Sequence, residues 1–353
     1  MRKVKISILI SMTLIIFVGG CKKDNNSNTK GWSELGSLNA NSTIRSLVTD
    51  ASGNVYAAGD FTNASGEFYV AKWNGSSWSE LGSLHANKDI RHIAIDNANN
   101  LYVGGDFTNT NGKTYVAKWN GSNWSEIGSL NLFLNGVYAL ETDASGNVYA
   151  GGDFLTTSDY QFIAQWNGSR WNVLDSFNTI FGYTLSIATD NSGNVYETSR
   201  MTNYGGYYYV NMWNGSRWDE IGYLNANSYI FTLATDETGN LYAGGSFTNS
   251  LGKSYVAKWN GSSWNELGSI NANGAIRYIA SDKAGNLYAS GDFTNSTGER
   301  YVAKWDGSSW SELGSLNINS SIYSITTDAS GYVYVAGNFN NTNSRWYVAR
   351  YIP

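Results

Sequence analysis

One aspartate recurs seven times along this chain at nearly constant spacing. The copies are Asp50, Asp96, Asp143, Asp190, Asp236, Asp282 and Asp328, and successive copies lie 46 or 47 residues apart. Because insertions between the copies are almost absent, the repeats are expected to form one rigid architecture. In such an architecture each repeat buries its apolar faces against its neighbours, and so seven repeats are predicted to stack together.

Each repeat contains four short β-prone runs separated by turn signals. In the first repeat these runs are residues 44–49, 55–61, 68–73 and 78–82. Asp50 can accept hydrogen bonds from the amides of the first turn, and Gly53 allows a positive φ there. Asn74 and Gly75 suit a hairpin turn with positive φ at both residues. The pattern predicts a four-stranded antiparallel meander, whose strands we name a to d.

A sheet of this size cannot cover both of its faces alone. Stacking such sheets face to face around an axis covers them, and this is the arrangement of a β-propeller. The seventh repeat supplies only strands a to c before Pro353, whereas a Trp-Ser-Glu-Leu-Gly segment typical of strand d stands at residues 32–36. The sequence therefore predicts an all-β, seven-bladed propeller over residues 31–353. Its N-terminal strand completes the last blade and hides two sheet edges.

Several repeats carry a glycine pair, then a tyrosine, then Trp-x-x-Leu or Trp-x-x-Ile. This order resembles the repeats of kelch-like β-propellers, and the pairs that carry the likeness are Gly104-Gly105, Gly151-Gly152 and Gly244-Gly245. Other blades depart from it with Ala58-Gly59, Ser290-Gly291, Ala336-Gly337 and Thr198-Ser199. The resemblance implies a binding platform, although the galactose oxidase branch is an enzyme whose copper is held by histidine and tyrosine. Because this chain has only His85 and His92, both in one blade, copper oxidation is not expected.

The N-terminus carries a predicted export signal. Three basic residues precede an apolar run at residues 6–18, which is short for a membrane span but suits the hydrophobic region of a signal peptide. The run ends in Val-Gly-Gly-Cys, and Cys21 is the only cysteine in the chain. The segment resembles a bacterial lipobox, which implies that residues 1–20 are a lipoprotein signal peptide and that Cys21 carries the lipid. An ordinary signal peptide with a chance cysteine is the alternative.

The mature chain is predicted to be acidic and tethered to a membrane. Cleavage after residue 20 takes the formal net charge from −5 to −8, because three positive charges are lost, and this disfavours nucleic-acid binding. Residues 21–30 indicate a flexible tether. The Cys-Lys-Lys-Asp start resembles lipoproteins of Bacteroidetes-type bacteria and implies an outer-membrane address, with surface exposure left open. Because the chain has only one cysteine and two histidines, no metal or other cofactor is predicted. The protein is also expected to be a monomer.

The second residue of strand a differs from blade to blade. The seven residues are Arg45, Arg91, Tyr138, Leu185, Phe231, Arg277 and Tyr323, and all are expected near one mouth of the central channel. Positions needed for packing should match between repeats, whereas positions that face a ligand need not. A salt-bridge interpretation competes with this one and is favoured by covariation, because the three blades with arginine carry Asp60, Asp106 and Asp292 at the end of strand b.

Blades 3 and 4 diverge most in their d-to-a and b-to-c loops, which share that end of the propeller. The divergent residues are Leu132, Phe133, Asp159, Tyr160, Phe177, Phe181, Tyr183, Tyr204, Tyr207 and Tyr208. Aromatic rings beside Asn, Ser and Thr can hold a sugar ring or an extended peptide. Drift in a tolerant region is the alternative. The predicted ligand-binding residues are Arg45, Arg91, Tyr138, Asp159, Tyr160, Phe181, Tyr183, Tyr204, Tyr207, Phe231, Arg277 and Tyr323.

Fourteen tryptophans could indicate a lectin, but twelve of them form pairs in a repeated Trp-Asn/Asp-Gly-x-x-Trp sequence. Large aromatics that recur at one strand position are interpreted as packing between blades. A multivalent lectin with one pocket in each interblade groove is the alternative.

Three functions are compatible with the sequence. The favoured one is a lipid-anchored cell-envelope platform that binds a glycan or a protein at one mouth of the propeller. The second is a carbohydrate-active enzyme, a glycosidase or lyase, for which Asp159 and Glu141 are the carboxylate candidates, and no catalytic residue is assigned. The third is a structural subunit of an envelope assembly.

Overall fold

The fold is a closed ring of small antiparallel sheets. A computed structural model describes residues 30–128, 133–155, 162–176 and 183–353, and these form 28 strands in seven four-stranded sheets. Each sheet is one blade. The predicted all-β, seven-bladed propeller with four-stranded blades is therefore confirmed.

Blades 1 to 4 follow one another directly along the chain. Blade 1 contains β2 (Ile44–Thr49), β3 (Val55–Gly59), β4 (Ala71–Trp73) and β5 (Trp78–Glu80). Blade 2 contains β6 (Ile90–Ile95), β7 (Leu101–Gly105), β8 (Ala117–Trp119) and β9 (Trp124–Glu126). Blade 3 contains β10 (Phe133–Thr142), β11 (Val148–Leu155), β12 (Phe162–Trp166) and β13 (Trp171–Ser176). Blade 4 contains β14 (Thr184–Thr189), β15 (Val195–Ser199), β16 (Asn211–Trp213) and β17 (Trp218–Glu220).

Blades 5 to 7 complete the ring, and the last of them combines both ends of the propeller. Blade 5 contains β18 (Ile230–Thr235), β19 (Leu241–Gly245), β20 (Ala257–Trp259) and β21 (Trp264–Glu266). Blade 6 contains β22 (Ile276–Ser281), β23 (Leu287–Gly291), β24 (Ala303–Trp305) and β25 (Trp310–Glu312). Blade 7 contains β26 (Ile322–Thr327), β27 (Val333–Gly337), β28 (Ala349–Ile352) and the N-terminal β1 (Gly31–Glu34).

Strand β1 closes the ring as the sequence predicts. It pairs antiparallel with β28, with Trp32 opposite Tyr351 and Glu34 opposite Ala349. The Trp32 indole Nε1 donates to the Leu313 carbonyl of blade 6 at 2.5 Å. The edge of β28 is thereby covered, and the head of the propeller is held against its tail.

The tryptophans of strand d tie the outer strands of neighbouring blades together. In every blade the indole Nε1 of this tryptophan donates to a carbonyl near the end of strand d of the preceding blade. The pairs are Trp78–Leu35, Trp124–Leu81, Trp171–Ile127, Trp218–Leu174, Trp264–Ile221, Trp310–Leu267 and Trp32–Leu313. The glycine after β1 allows close contact, since a Cβ on Gly36 would lie 2.3 Å from the Trp73 ring. The strand d tryptophans therefore take part in contacts between neighbouring blades.

Hydroxyl groups connect the inner strands in the same way. The last residue of strand a donates its side-chain hydroxyl to the corresponding carbonyl of the preceding blade in six blades. The pairs are Thr49–Thr327, Thr142–Ile95, Thr189–Thr142, Thr235–Thr189, Ser281–Thr235 and Thr327–Ser281. Blade 2 has Ile95 at this position, and so it only accepts. Inner and outer strands are thus bound into the ring by side-chain to backbone hydrogen bonds.

The two turns of the repeat differ in how well they were predicted. Asp50 Oδ1 accepts from the amides of Ser52 and Asn54, and Gly53 has a φ of 79°, as expected. Burial alone would raise the pKa of Asp50, but these bonds and those from the Asn54 and Tyr56 side chains hold it below its usual value. The prediction for the c-to-d turn is wrong in one respect. Only Gly75 has a positive φ, because the Asn74 side chain accepts from the amides of Ser76 and Ser77 instead.

Strand lengths also depart from the predicted runs. The run at residues 68–73 is a regular strand only from Ala71, while Phe68 makes isolated bridges to Thr62 and Ala86. Blade 3 differs in the opposite direction, since β10 has 10 residues and β11 has 8. Phe133 was expected in a loop, but its backbone begins β10 and pairs with Leu155.

Candidate functional site

The central channel opens at the end of the propeller where strand a begins and strand b ends, which we call the mouth. The inner strands surround a cavity of about 710 Å³. Seven of the predicted ligand-binding residues line this one cavity, namely Arg45, Arg91, Tyr138, Tyr183, Phe231, Arg277 and Tyr323. Residues of all seven blades therefore converge on a single space.

A β-bulge explains why the variable position faces the mouth. In blade 1 the pairing jumps from Ile44–Gly59 to Ser46–Ala58, so that Arg45 is the extra residue of the bulge. The same shift occurs at the second position of strand a in blades 2 and 4 to 7, and at Tyr138, the sixth residue of β10, in blade 3. Bulges re-aim one side chain out of the regular alternation of a strand. The seven variable side chains are therefore released from the packed interface between blades.

Two arginines of the mouth are paired with the aspartate that ends strand b of their own blade. Arg45 donates from Nη2 to Asp60 Oδ2 at 2.7 Å, and its Nε donates to the other oxygen at 2.5 Å. Arg91 makes the same two-pronged contact with Asp106, at 2.6 and 2.9 Å. The salt-bridge interpretation of these blades is confirmed.

The third arginine shares its aspartate. Arg277 Nε donates to Asp292 Oδ2 at 2.6 Å, and Arg300 Nη1 donates to the other oxygen of the same carboxylate at 3.2 Å. The Arg277 guanidinium carbon also lies 4.6 Å from the centre of the Phe231 ring. Arg277 therefore joins the charged part of the mouth to its aromatic part.

Arg200 belongs to the mouth although it was not among the predicted site residues. It follows β15, at the position that an aspartate occupies at the end of strand b in blade 1. Its guanidinium carbon lies 4.5 Å from the centre of the Tyr183 ring and 5.3 Å from that of Tyr229. The exchange of aspartate for arginine is visible in the sequence. The contact with Tyr229 is not, because Tyr229 lies in the loop before strand a of the next blade.

Arginines and aromatic rings alternate around more than half of the mouth. Besides the contacts of Arg200 and Arg277, the Arg91 guanidinium carbon lies 4.9 Å from the centre of the Tyr138 ring. The ring centres of Tyr138 and Tyr183 are 5.6 Å apart, and those of Tyr229 and Phe231 are 5.8 Å apart. We call this series the mouth belt, and it consists of Arg91, Tyr138, Tyr183, Arg200, Tyr229, Phe231 and Arg277. Cation–π and ring contacts of this kind hold the side chains against one another.

The outer loops of blades 4 and 5 extend the aromatic surface away from the channel. The Tyr208 ring lies 4.6 Å from Tyr229, while Tyr204 and Tyr207 of the same loop are exposed. Tyr223 and Leu251, in neighbouring loops at this end, are also exposed. Tyr204 and Tyr207 therefore lie outside the residues that line the channel cavity, on the adjoining surface.

Four other predicted residues lie outside the described part of the chain. They are Cys21, Asp159, Tyr160 and Phe181. Leu132 and Phe177 of the divergent loops lie outside it as well.

Glu141 and His92 line the channel below the mouth belt. Burial raises the pKa of Glu141 to about 7, although the Thr142 amide donates to its carboxylate and opposes this shift. Burial lowers the pKa of His92 to about 4, and within the described residues its Nδ1 has no hydrogen-bond partner. Both residues line the same cavity. In blade 1 the corresponding positions hold Val48 and Ser46, so that these two groups are particular to blades 2 and 3.

The opposite end of the channel has a different character. A smaller cavity of about 330 Å³ there is lined by the a-to-b turns, including Asp50, Asp96, Asp282 and Asp328. The oxygens of these aspartates accept hydrogen bonds from their own turns and from a tyrosine of strand b, as in Ser52 to Asp50 and Tyr56 to Asp50, both at 2.9 Å. Across the described ranges, no three His, Cys, Asp or Glu side chains are grouped as ligands for a cation. The same ranges contain no helix of the length and apolarity that a membrane span requires.

Known proteins share the architecture of this chain, but none of the comparisons identifies its family. No family model and no curated sequence matches the chain. Virginiamycin B lyase from Staphylococcus aureus is similar in structure, with a TM-score of 0.65 at 10% identity over 91% of this chain and 99% of the lyase. YCF48 bound to D1 peptide aligns with a TM-score of 0.63 at 13% identity, over 92% of this chain and 96% of YCF48.

A third similar structure is the WD40 propeller domain of Doa1. It aligns with a TM-score of 0.61 at 13% identity, over 90% of this chain and all of that domain. At such low identity these likenesses show a common fold, and no residue role is transferred from them.

Proposed function

We propose that this protein is a lipid-anchored component of a bacterial cell envelope that binds a protein or glycan ligand at the mouth. The observation that carries the proposal is the set of bulged residues. In a chain of nearly identical repeats, these seven side chains differ from blade to blade and yet face one cavity. Variation at positions released from packing is the expected result of a single, asymmetric ligand.

The similar structures are consistent with such a role. YCF48 was solved with a bound D1 peptide, so that a propeller of this architecture can hold a polypeptide segment. The kelch-like resemblance of the repeats also implies a binding platform. A protein ligand therefore has slightly more support than a glycan.

Binding at the mouth is tested with the full-length protein. A pull-down from envelope extract and a glycan array should identify the ligand, and Tyr183→Ala combined with Phe231→Ala should reduce its binding at least tenfold. Tyr332→Asn is the matched control, because it lies in an a-to-b turn at the opposite end and restores the asparagine that blade 1 carries there as Asn54. Equal loss in both variants, or in neither, would contradict binding at the mouth.

The envelope address is tested separately. Cells that express the full chain should incorporate a labelled fatty acid into it, and Cys21→Ser should abolish that incorporation and release the protein from the membrane fraction. Incorporation that persists in Cys21→Ser would contradict the assignment of residues 1–20 as a lipoprotein signal. Accessibility to protease in intact cells then distinguishes the outer face of the membrane from the periplasmic face.

A second candidate is catalysis in the channel, which is favoured by Glu141 and His92. A carboxyl group with a pKa of about 7 can transfer protons near neutrality, and both residues line the cavity. Turnover on a polysaccharide panel, lost in Glu141→Gln, would establish this function. A panel that yields no product removes it in favour of binding.

A further inference from the structure

Arg200 has an unusual electrostatic position for a residue of this repeat. Asp60, Asp106 and Asp292 end strand b in blades 1, 2 and 6, so that blade 4 replaces a negative charge by a positive one. The bulged residue of blade 4 is Leu185, which cannot balance this charge. Within the described residues, Arg200 therefore has no carboxylate partner in its own blade, unlike Arg45, Arg91 and Arg277.

Arg200 contacts two aromatic rings and is nevertheless exposed to solvent. Tyr183 and Tyr229 lie 4.5 and 5.3 Å from the guanidinium carbon, and the residue is exposed. Among the described ion pairs of the mouth, all involve Arg45, Arg91, Arg277 or Arg300, and none involves Arg200. A guanidinium that stacks on aromatic rings can still offer the donors along its edge, which match the two oxygens of a carboxylate.

We propose that Arg200 anchors a carboxylate of a peptide ligand, an inference that rests on the proposed function and specifies its partner. The ligand is a polypeptide segment that carries an acidic group next to apolar side chains. The exposed side chains of Tyr204, Tyr207 and Leu251 lie in loops of blades 4 and 5 at the same end and supply the apolar surface. Exposed apolar side chains around a polar anchor are typical of a protein interface.

The geometry favours a peptide over a sugar. A sugar ring binds by stacking on an open aromatic face, but the Arg200 guanidinium already covers faces of Tyr183 and Tyr229. The formal net charge of −8 expected for the mature chain does not prevent binding of an acidic segment. At physiological salt, exposed charges more than about 8 Å away are largely screened, so the nearby guanidinium dominates.

The test uses a peptide array probed with the detergent-solubilised full-length protein. Each acidic peptide is paired with a twin in which Asp or Glu is replaced by Asn or Gln, and a second set compares free with amidated C-termini. We expect acidic members with neighbouring apolar residues to bind, and Arg200→Gln to weaken this binding at least tenfold. Arg217→Gln is the control, because Arg217 lies in the c-to-d turn of the same blade at the opposite end. If only the side-chain twins differ in binding, the carboxylate comes from Asp or Glu. If only the free and amidated C-termini differ, it is the C-terminal carboxylate of the peptide.

Other outcomes overturn the inference in distinguishable ways. If the amide twins bind as well as the acidic peptides, or if Arg200→Gln retains the affinity, the carboxylate anchor is wrong, while loss of binding in Tyr183→Ala with Phe231→Ala still supports the mouth. If polygalacturonate binds, no peptide does, and Arg200→Gln abolishes that binding, the ligand class is wrong. If binding survives every mouth variant, both the anchor and the proposed function fail.

Discussion

At the scale of single residues, blade 4 buries the carboxyl group of Glu197 at a strand b position where the other blades carry alanine or valine. Glu197 and Asn211 form a cross-strand pair where blade 1 has Ala57 and Ala71. The Asn211 side chain donates to Glu197 Oε2 at 3.2 Å, while Oε1 has no partner within the described residues. Burial raises the pKa of Glu197 to about 8, against which the hydrogen bonds from Asn211 and Ser199 act.

This group should make the stability of the protein depend on pH. Between about pH 4.5 and 8 the folded state keeps a proton on Glu197 that the unfolded chain has lost, so the free energy of unfolding falls as the pH rises through this window. Across it, one such proton lowers the unfolding free energy by at most roughly 1.4 kcal/mol for each pH unit. Denaturant unfolding at pH 5 and pH 8.5 should show that Glu197→Gln flattens this fall, whereas Glu237→Gln at an exposed site does not. Parallel slopes for the wild type and Glu197→Gln would refute the assignment.

At the scale of structural elements, the bulge of blade 1 packs closely against Gly59, whereas blade 4 carries Ser199 beside the same bulge. A Cβ on Gly59 would lie 2.2 Å from the Thr43 carbonyl oxygen and 2.8 Å from the Arg45 amide nitrogen. The strands approach each other this closely because the bulge turns Arg45 out of the ladder. The end of strand b and the direction of the variable side chain are therefore linked.

We expect Gly59→Ala to distort this bulge. Because the clash is with backbone atoms, it should cost about 1–3 kcal/mol of unfolding free energy. Ser199→Gly is the control, since it removes a side chain at the corresponding position of blade 4 and should cost at most about 1 kcal/mol. Equal stability of Gly59→Ala and the wild type, measured by denaturant unfolding, would show that the close approach is not required.

Sequence reasoning succeeded where the repeat itself carried the information. The spacing of Asp50 and its copies predicted the number of blades, and Trp32 predicted ring closure because it matches the strand d tryptophans. The covariation of Arg45 with Asp60 predicted their ion pair. The stacking of Tyr229 on Arg200 was missed, because a contact between the loop of one blade and the strand end of another has no period to reveal it. Tyr160 and Phe181 remain predictions.

At the scale of the whole molecule, the ring is closed at one junction, where the N-terminal strand β1 pairs with β28. Deleting residues 31–38 removes β1, exposes the edge of β28 and breaks the Trp32 to Leu313 hydrogen bond. The melting temperature should fall by about 10 °C or more, or the protein should aggregate. Trp32→Phe keeps the strand but loses one donor, which should cost only about 1 kcal/mol. An unchanged melt of the deletion variant would contradict the closed ring.

Site-specific photocrosslinking in cells can show whether the ligand binds at the mouth. A photoreactive amino acid replaces Tyr323, which lines the mouth cavity, or Tyr332, which lies in a turn at the opposite end. If the ligand binds at the mouth, one crosslinked partner should form from position 323 and be absent from position 332. The same partner crosslinked from position 332 but not from position 323 would contradict binding at the mouth.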